Sequence, residues 1–582
     1  MLSEKRMSEA EMSEKFDFEW LLAFFNRNKT ALHSIIPRVI YREALPIAFL
    51  TLYPRNTIFT FLETRMKADL KEHFIEFMFS LMETVAADVG VDYGKTNASK
   101  DIMDMVDFME KLYAIEVTDI DEEVRWTTIT PKRNMRLFEA DDTTPPVNWT
   151  EYLLLVAPVK VHPYILSNPE IAVDKTYLKS VAKVLRGATP RTLKNFVITH
   201  YIFSWLTVLE AKYRKIIHRF ATNVGSTIPQ NRSEVCFDLI RNSYRHALLA
   251  MYARFRNYGN SAKPIIEEMI REIVASFKDQ LNENEWMGDE FRKGVFKKLD
   301  YMKSTLLYDE ISANDTALDN LYYEYLKIRD KELPFPMMLD EVTYAEKKML
   351  FYKLNQKFDT RKTFTTVAAH YENPINAAYM LASNTIVIPL GIVQYPFFDA
   401  KFPRAFNYGS IGFVTAHEIS HGFDHIGIRF DFTGKKTKWY KQEWIEKFKE
   451  KIECYVKQYN EKRIPIFNTT ISGAQTKSEN VADNEGMKVA YMAFKKNQKK
   501  YGEEARTDFV EDFTNDQLFF LSTAMSVCSK NSDLTLYNER YNEHVHSVYR
   551  VNNVALNTPA FASAFFCPPG SPMNPHDRCS VW

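Results

Sequence analysis

The chain has 582 residues, of which 46% are hydrophobic and 14% are aromatic. This length exceeds one ordinary hydrophobic core, so we expect two lobes, and the apolar content argues against disorder. Basic and acidic residues both number 75, so the net charge is zero and no nucleic-acid partner is expected. No stretch approaches the length of about 18 apolar residues that suggests a membrane span, and the charged N-terminus lacks the apolar core of a signal peptide.

Hydrophobic spacing predicts helices through most of the N-terminal part of the chain. Residues 61–90 and 264–300 repeat apolar side chains at three- and four-residue intervals, which is typical of amphipathic helices. The proline-rich stretch 127–166 predicts short strands mixed with loops. The composition changes near Pro334, and we therefore predict a mainly helical N-terminal lobe over residues 1–340.

The second predicted lobe, 341–582, contains the clearest strand-like segment. Thr385–Pro389 is a short run of β-branched residues that ends at a proline. A helix is predicted at about 409–424, and the pattern after residue 435 is again helical until an irregular segment that begins near 567. The sequence therefore predicts a mainly α fold with a small β component.

A His-Glu-Ile-Ser-His motif begins at His417, on the predicted helix. Residues four apart lie on one face of a helix, so His417 and His421 can bind one metal ion, with Glu418 beside them as a general base. A catalytic zinc takes three protein ligands and keeps one position open for water. Glu479, in a downstream Glu-Asn-Val-Ala-Asp motif, is the predicted third ligand. Asp483, one turn further, can accept the outer N–H of a ligating histidine.

The alternative is that the two histidines are structural residues of an amphipathic helix. With 13 histidines in the chain, chance alone produces such a motif in roughly one sequence in fifty. The second motif makes chance a much weaker explanation, because it adds a glutamate and an aspartate at helical spacing. We therefore predict one Zn²⁺ ion per chain.

Several further segments accompany these motifs. In chain order they are Asn376-Ala-Ala-Tyr379, Ile386-Val-Ile-Pro-Leu-Gly391, Gly422-Phe-Asp424 and the C-terminal Cys567-Pro-Pro-Gly to Cys579-Ser-Val-Trp582. Together they resemble the neprilysin and endothelin-converting-enzyme family of zinc metalloendopeptidases. The resemblance implies a two-lobed gluzincin metalloprotease fold, with a thermolysin-like catalytic lobe capped by a helical lobe around a closed cavity. It makes 341–582 the catalytic domain, interwoven with the helical lobe, so the boundary is approximate.

The resemblance also implies how peptides are cleaved. Zinc-activated water attacks the peptide bond, Glu418 acts as the general base, and His544 stabilises the oxyanion. Arg550, six residues after His544, binds a substrate carbonyl group. His546 lies close by in sequence and makes the choice of histidine less sure, but the six-residue spacing to Arg550 selects His544. Asp424 is expected to orient a ligating histidine, as is Asp483.

Substrate contacts are implied by the same resemblance. Asn376 and the backbone of Ala377 resemble a clamp for a peptide bound as an extended strand. Ile392, Phe397 and Val414 resemble the lining of the pocket for the residue after the scissile bond. Taken alone, these three apolar residues are ordinary core residues.

The five cysteines form an odd number. The resemblance implies a disulfide between Cys454 and Cys579. Cys236, Cys528 and Cys567 resemble positions whose partners lie in a cysteine-rich segment that family members carry near the start of the outer domain. The alternative is three buried thiols in a reduced protein. Because family members are type II membrane proteins, the resemblance implies an extracellular or cell-surface location and a chain that begins inside the outer domain.

The sequence leaves two functions open. The first is an active zinc endopeptidase, which the intact ligands and base favour. The second is a catalytically impaired relative that binds peptides or partners, which the missing cysteine-rich segment favours. Glycosylation sequons favour secretion only weakly; they begin at Asn28, Asn97, Asn148, Asn231, Asn314 and Asn468. The peptide substrate and the oligomeric state are not indicated.

Overall fold

The computed structural model describes most of the chain, and every structural statement below concerns these residues. They are 36–41, 48–53, 68–95, 98–115, 126–129, 149–167, 171–203, 205–223, 231–256, 261–308, 311–329, 332–352, 375–464, 469–506, 508, 510–531, 536 and 542–582. The sequons that begin at Asn231 and Asn314 are exposed. The other four sequon asparagines lie outside these residues.

The chain forms two compact units, and each is built from two segments. The first combines Met1–Tyr244 with Asn320–Phe358, and the second combines Arg245–Asp319 with Asp359–Trp582. The boundary predicted after residue 340 was an approximation to lobes that the resemblance implies are interwoven, and it stays a prediction. A boundary drawn once along the sequence cannot represent a chain that enters the second unit, returns to the first and leaves it again.

Helices dominate both units, so the predicted mainly α fold with a small β component is confirmed. The α-helices are α1 Ala68–Asp88, α2 Ala98–Tyr113, α3 Trp149–Val156, α4 His162–Leu166, α5 Lys175–Arg186, α6 Pro190–Phe203, α7 Ala211–Asn223, α8 Arg232–Ser243, α9 Arg245–Arg256, α10 Lys263–Asn282, α11 Asp289–Asp300, α12 Asp315–Arg329, α13 Phe335–Tyr352, α14 Arg404–Asn407, α15 Phe413–His421, α16 Gln442–Asn460, α17 Gly473–Tyr501, α18 Asn515–Ser526, α19 Ser547–Leu556 and α20 Pro559–Ala564. The strands are β1 Ile36–Tyr41, β2 Ala48–Tyr53, β3 Trp126–Ile129, β4 Ile171–Asp174, β5 Lys303–Leu307, β6 Ala378–Met380, β7 Thr385–Pro389, β8 Arg463–Ile464 and β9 Thr469–Thr470. None of the helices in the described part of the chain has the length and apolar character needed to cross a bilayer.

The first unit has a four-stranded sheet in the order β1-β2-β4-β3, in which only β2 and β4 run parallel. Its helical core contains the buried rings of Phe74, Phe77, Phe203 and Phe220, with neighbouring centroids 4.9 to 6.3 Å apart. Burial of such rings is a major source of core stability. Within the predicted helical stretch 61–90, the structure has α1 at Ala68–Asp88, and residues 61–67 lie outside the described part of the chain.

The prediction of strands and loops for 127–166 is wrong over its C-terminal part. β3 lies at its start, but α3, a short 3₁₀ turn and α4 occupy residues 149–166. Pro158 directly precedes the 3₁₀ turn, and Pro163 lies in the first turn of α4. A proline at a helix start lacks only an N–H that the helix does not use, so these prolines begin helical turns rather than ending them.

The second unit holds a three-stranded sheet in the order β5-β7-β6. The predicted strand Thr385–Pro389 is β7, and it is central and buried. It pairs in parallel with β5 and antiparallel with β6. The pairing with β5 explains why residues 303–307 lie in the same unit as β7, although the two strands are far apart in sequence. The predicted stretch 264–300 forms two helices, α10 and α11. α15 packs against β6 and β7, and residues of α10, α15, α17 and this sheet share one hydrophobic core.

Candidate metal centre

The helix that carries the His-Glu-x-x-His motif is buried along nearly its whole length. A π-helical turn, Tyr408–Gly412, leads directly into α15. The hydroxyl groups of Thr415 and Ser420 donate to backbone carbonyls four residues earlier, both at 2.8 Å. These bonds satisfy polar groups that would otherwise be buried without partners. The helix therefore presents its histidines from a rigid, well-packed element.

α17 carries the second motif and packs directly on α15. Ser472 caps its N-terminus by accepting from the N–H of Gln475. The two helices approach closely at Gly486, where an added Cβ would lie only 2.8 Å from the backbone nitrogen of His417. Glu479 and Asp483 lie one turn apart, so both face α15. The close approach therefore brings the two sequence motifs together.

Three candidate ligand atoms converge between these helices. Nε2 of His417 and Nε2 of His421 lie 3.0 Å apart. Oε2 of Glu479 lies 3.3 Å from the first nitrogen and 3.5 Å from the second. Ligand atoms from all three residues lie within 4.8 Å of one another.

The chemistry of this donor set fits zinc. Two imidazole nitrogens and one carboxylate oxygen form a known catalytic zinc set. Oε2 of Glu479 is buried and has no aligned hydrogen bond among the described residues, although imidazole nitrogens surround it. A buried acceptor without such a bond is costly unless something else satisfies it. A cation shared with His417 and His421 would do so.

Each candidate histidine ligand has a carboxylate at its other ring nitrogen. Nδ1 of His417 lies 2.8 Å from Oδ1 of Asp483, and Nδ1 of His421 lies 2.7 Å from Oδ2 of Asp424. Such partners hold a ring in the tautomer that leaves Nε2 free to bind metal. Arg550 in turn donates from Nε and Nη2 to both oxygens of Asp483, at 2.7 and 2.6 Å.

Buried opposite charges shape the electrostatics of the site. Burial lowers the pKa of His421, but the carboxylates of Glu479 and Asp424 outweigh it and raise this pKa well above its usual value of 6.5. Burial would raise the pKa of Asp483, but Arg550 and His417 outweigh it and lower this pKa. Opposite charges at such short range favour the ionised forms.

Glu418 is buried on α15 between the two histidines, with 6% of its surface exposed. Burial raises the pKa of its carboxyl group, while the positive charges of the histidines oppose that rise. A base with a raised pKa accepts a proton more readily near neutral pH.

The structure brings His544 to the ligands and gives His546 a different environment. Nε2 of His544 lies 2.9 Å from Oε2 of Glu479. Its backbone N–H donates to Oδ1 of Asn542 at 3.0 Å. Nδ1 of His546 instead accepts from the N–H of Val548 at the start of α19.

Comparison with known proteins shows which family the chain belongs to. The models of peptidase family M13 match residues 49–309 and 376–581. The chain belongs to peptidase family M13. Neprilysin-1 of Caenorhabditis elegans is 30% identical over 525 residues, which cover 89% of this chain and 67% of that protein. Endothelin-converting enzyme 1 of Bos taurus is 30% identical over 454 residues, which cover 76% of this chain and 57% of that protein. The chain thus spans only about three fifths to two thirds of the length of these relatives.

Solved structures show the same fold at lower sequence identity. The zinc metalloprotease Zmp1 of Mycobacterium tuberculosis, solved with an inhibitor, has a TM-score of 0.78 at 19% identity; the match covers 98% of this chain and 84% of Zmp1. PepO of Lactobacillus rhamnosis HN001 has a TM-score of 0.73 at 20% identity, with coverages of 96% and 83%. The chain therefore has the fold of M13 zinc metalloproteases, as predicted.

The predicted substrate residues of this M13 chain lie at two places near α15. Asn376 is exposed and Ala377 is buried, and both directly precede β6, which packs against α15. Ile392 is fully buried in the core, whereas Phe397 and Val414 are partly buried against it. Ile392 is thus placed as a core residue, and the other two have surface left for a ligand.

The cysteines of this M13 chain differ in environment. Cys454 of α16 and Cys579 form the predicted disulfide, with a Cα–Cα distance of 5.6 Å. Cys236, Cys528 and Cys567 make no disulfide among the described residues. Cys236 and Cys528 are exposed, so the alternative of three buried thiols is wrong.

Two residues that sequence reasoning missed also hold the site together. Ser478 directly precedes Glu479, and its hydroxyl group donates to Oδ2 of Asp424. Gln475 donates from Nε2 to the backbone carbonyl of Asn542 at 3.0 Å, which ties the His544 segment to α17. Both residues lie just before the Glu-Asn-Val-Ala-Asp motif, whose spacing indicates only which residues share a helix face. That spacing carries no information on contacts with residues as distant in sequence as Asp424 and Asn542.

Proposed function

We propose that the chain is a zinc-dependent endopeptidase with His417, His421 and Glu479 as the metal ligands. The observation that carries this proposal is the convergence of these three side chains, with a carboxylate on the outer nitrogen of each histidine. If His417 and His421 were only structural residues of an amphipathic helix, they would not need a shared carboxylate at Nε2 or a separate carboxylate at each Nδ1. Zinc, when bound there, would lower the pKa of a water molecule and polarise a peptide carbonyl.

The side chains of the site have complementary tasks in peptide hydrolysis. Glu418 takes a proton from the attacking water molecule and delivers it to the leaving amine, so no covalent intermediate is required. His544 donates from its ring to the oxyanion that develops on the carbonyl oxygen. Asp483 and Asp424 hold the rings of His417 and His421, respectively, in a productive orientation.

Arg550 has two tasks in this proposal. It holds Asp483 through Nε and Nη2, and this bidentate geometry also orients the guanidinium plane. Its remaining Nη1 makes no hydrogen bond to any residue that the structure describes, and we assign it to a substrate carbonyl. The pairing with Asp483 keeps the partly buried positive charge compensated when no peptide is bound.

Substrates in this proposal are peptides bound in extended form. Within the described residues, β6 pairs with β7 alone, so its other edge can accept a further strand. Addition of a strand uses backbone hydrogen bonds and tolerates many side chains. The side chain of Asn376 and the backbone of Ala377 then bind the peptide backbone. Phe397 and Val414 contact the side chain that follows the scissile bond.

We further propose that the protein works in an extracellular or cell-surface compartment. The support is the disulfide between Cys454 and Cys579, because disulfides persist mainly in oxidising compartments.

The proposed base gives the sharpest test of the mechanism. Glu418→Gln removes a proton acceptor without touching a ligand, so we expect stoichiometric zinc but a loss of turnover of about 10²- to 10⁴-fold. Zinc is measured by elemental analysis, and turnover with a quenched fluorescent peptide, with and without a chelator.

Two outcomes would contradict the proposal. Near-normal turnover of zinc-loaded Glu418→Gln would exclude this base. No turnover by the zinc-loaded parent chain would instead indicate a catalytically impaired protein. Glu443→Gln, at an acidic residue exposed at the start of α16, is the matched control and should leave both measurements unchanged.

A further inference from the structure

Lys298 is a buried cation that the mechanism does not use. It lies on α11 with 1% of its surface exposed. Its ammonium group donates to the carbonyl oxygens of Gly427, at 2.6 Å, and Phe430, at 2.8 Å. Burial of an ammonium group is costly, and it is tolerated where strong hydrogen bonds compensate. Bonds from a charged donor are about twice as strong as neutral ones.

The turn that Lys298 holds directly follows the helix of the candidate metal centre. Its N–H groups converge on Asp424: those of Ile426 and Gly427 donate to Oδ1 at 2.8 and 2.7 Å. The N–H of Ile428 donates to the backbone carbonyl of Asp424 at 3.0 Å. The other side-chain oxygen of Asp424 faces Nδ1 of His421 at 2.7 Å. The turn thus orients the carboxylate that orients the histidine.

One peptide group links Lys298 to this arrangement. The peptide between Gly427 and Ile428 accepts from Lys298 through its oxygen and donates through its N–H to the backbone carbonyl of Asp424. Hydrogen bonds in such a chain polarise and strengthen one another. The turn also has little freedom to move, since a Cβ at Gly427 would lie 1.9 Å from the carbonyl oxygen of His421.

We infer that Lys298 is a positioning residue of the metal centre, which holds the Gly427 turn so that Asp424 keeps His421 aligned for metal binding. The inference rests on the proposed zinc site. Carboxylates that hold a ligating histidine, as Asp424 does in this proposal, change metal affinity by about 10- to 100-fold when they are removed. Lys298 acts one step further out, through the turn that holds Asp424.

The test is the zinc affinity of the full chain, measured by competition with a chromophoric chelator. Lys298→Met keeps the length of the side chain and removes its charge, and we expect zinc to bind about tenfold more weakly, at the lower end of that range. Asp424→Ala should cause a loss of similar size. If Lys298 acts through Asp424, Lys298→Met should add less than about a twofold loss in the Asp424→Ala background. If Lys298 instead has a general packing role, the losses of zinc affinity in the two single variants should multiply in the double variant.

The control is Lys293→Met, which removes an equal charge from an exposed position on the same helix. Its zinc affinity should match that of the parent chain. Unchanged zinc affinity in folded Lys298→Met, or losses that multiply, would overturn the inference and leave the proposed function intact. If Lys298→Met and Lys298→Gln do not fold even in saturating zinc, the residue serves folding and the inference is also overturned. Failure of the parent chain to bind zinc would overturn the proposed function and this inference together.

Discussion

At the scale of single residues, the candidate centre depends on carboxylates that control the orientation of imidazole rings. Asp483 does this for His417, and Asp424 does it for His421. Helical spacing placed Asp483 near Glu479 in advance, because a turn of 3.6 residues brings every fourth residue to one face. That Asp424 orients a ligating histidine was expected from the family resemblance, and the structure identifies that histidine as His421. The pairing of Arg550 with Asp483 was not, because two residues 67 positions apart share no periodic signal.

The two histidines near the C-terminus lead to opposite expectations. His544→Phe should retain zinc and lower kcat by about 10²- to 10³-fold, because it removes one oxyanion donor. His546→Ala should keep turnover and cost only about 1 kcal/mol of stability, because its Nδ1 caps the start of α19. Peptide hydrolysis, zinc content and thermal unfolding of both variants separate the two roles. The opposite pattern would make His546 the catalytic residue.

At the scale of elements, the centre exists because α15 and α17 pack with almost no space between their backbones. Each motif was recognisable alone, since each has helical periodicity. Their contact depends on Gly486, which lies against the backbone of His417. A glycine within a helix is ordinarily unfavourable relative to alanine. Its use here follows from a tertiary contact.

Gly486→Ala should therefore damage the metal centre although alanine is the better helix former. The added Cβ would meet the nitrogen of His417 at 2.8 Å, so the helices must separate. Overpacking of this kind costs typically 1 to 3 kcal/mol, and the separation draws Glu479 away from the histidines. We expect a lower unfolding temperature and weaker zinc binding.

Gly187→Ala is the control, because its Cβ would find its nearest contact at an ordinary 3.5 Å. It should be neutral or slightly stabilising. Unchanged zinc affinity in Gly486→Ala would show that the helices can separate without loss of the site.

At the scale of the whole molecule, one disulfide encloses a large part of the candidate site. Cys454 and Cys579 are 125 residues apart, and the segment between them contains Glu479, Asp483, His544 and Arg550. Closure of so long a segment restricts the unfolded chain strongly.

Replacement of Cys454 and Cys579 together by serine should lower the unfolding free energy by about 2 to 5 kcal/mol. Because the enclosed segment supplies the proposed ligand Glu479, zinc should be released at a lower urea concentration than in the parent chain. Zinc release and circular dichroism, followed against urea concentration, measure both effects. Cys236→Ser, at an exposed free thiol, should change neither. Coincident urea curves for the parent and the double variant would contradict this expectation.

The amino-acid sequence by itself determined the features that repeat locally. The predominance of helices and the common helical face of His417 and His421 follow from the period of 3.6 residues, and the strand Thr385–Pro389 follows from its run of β-branched residues. Such patterns act over a few turns, so a single sequence reports them directly. The proposed zinc ligands could be named for that reason.

Only the tertiary structure decided which distant groups meet. It set which segments make up each of the two interleaved units, brought Nε2 of His544 to Oε2 of Glu479, and placed Lys298 against the turn after α15. These outcomes depend on close packing and on the need of buried charges for partners. Neither leaves a periodic signal along the chain, because the compensating groups lie tens to hundreds of residues apart.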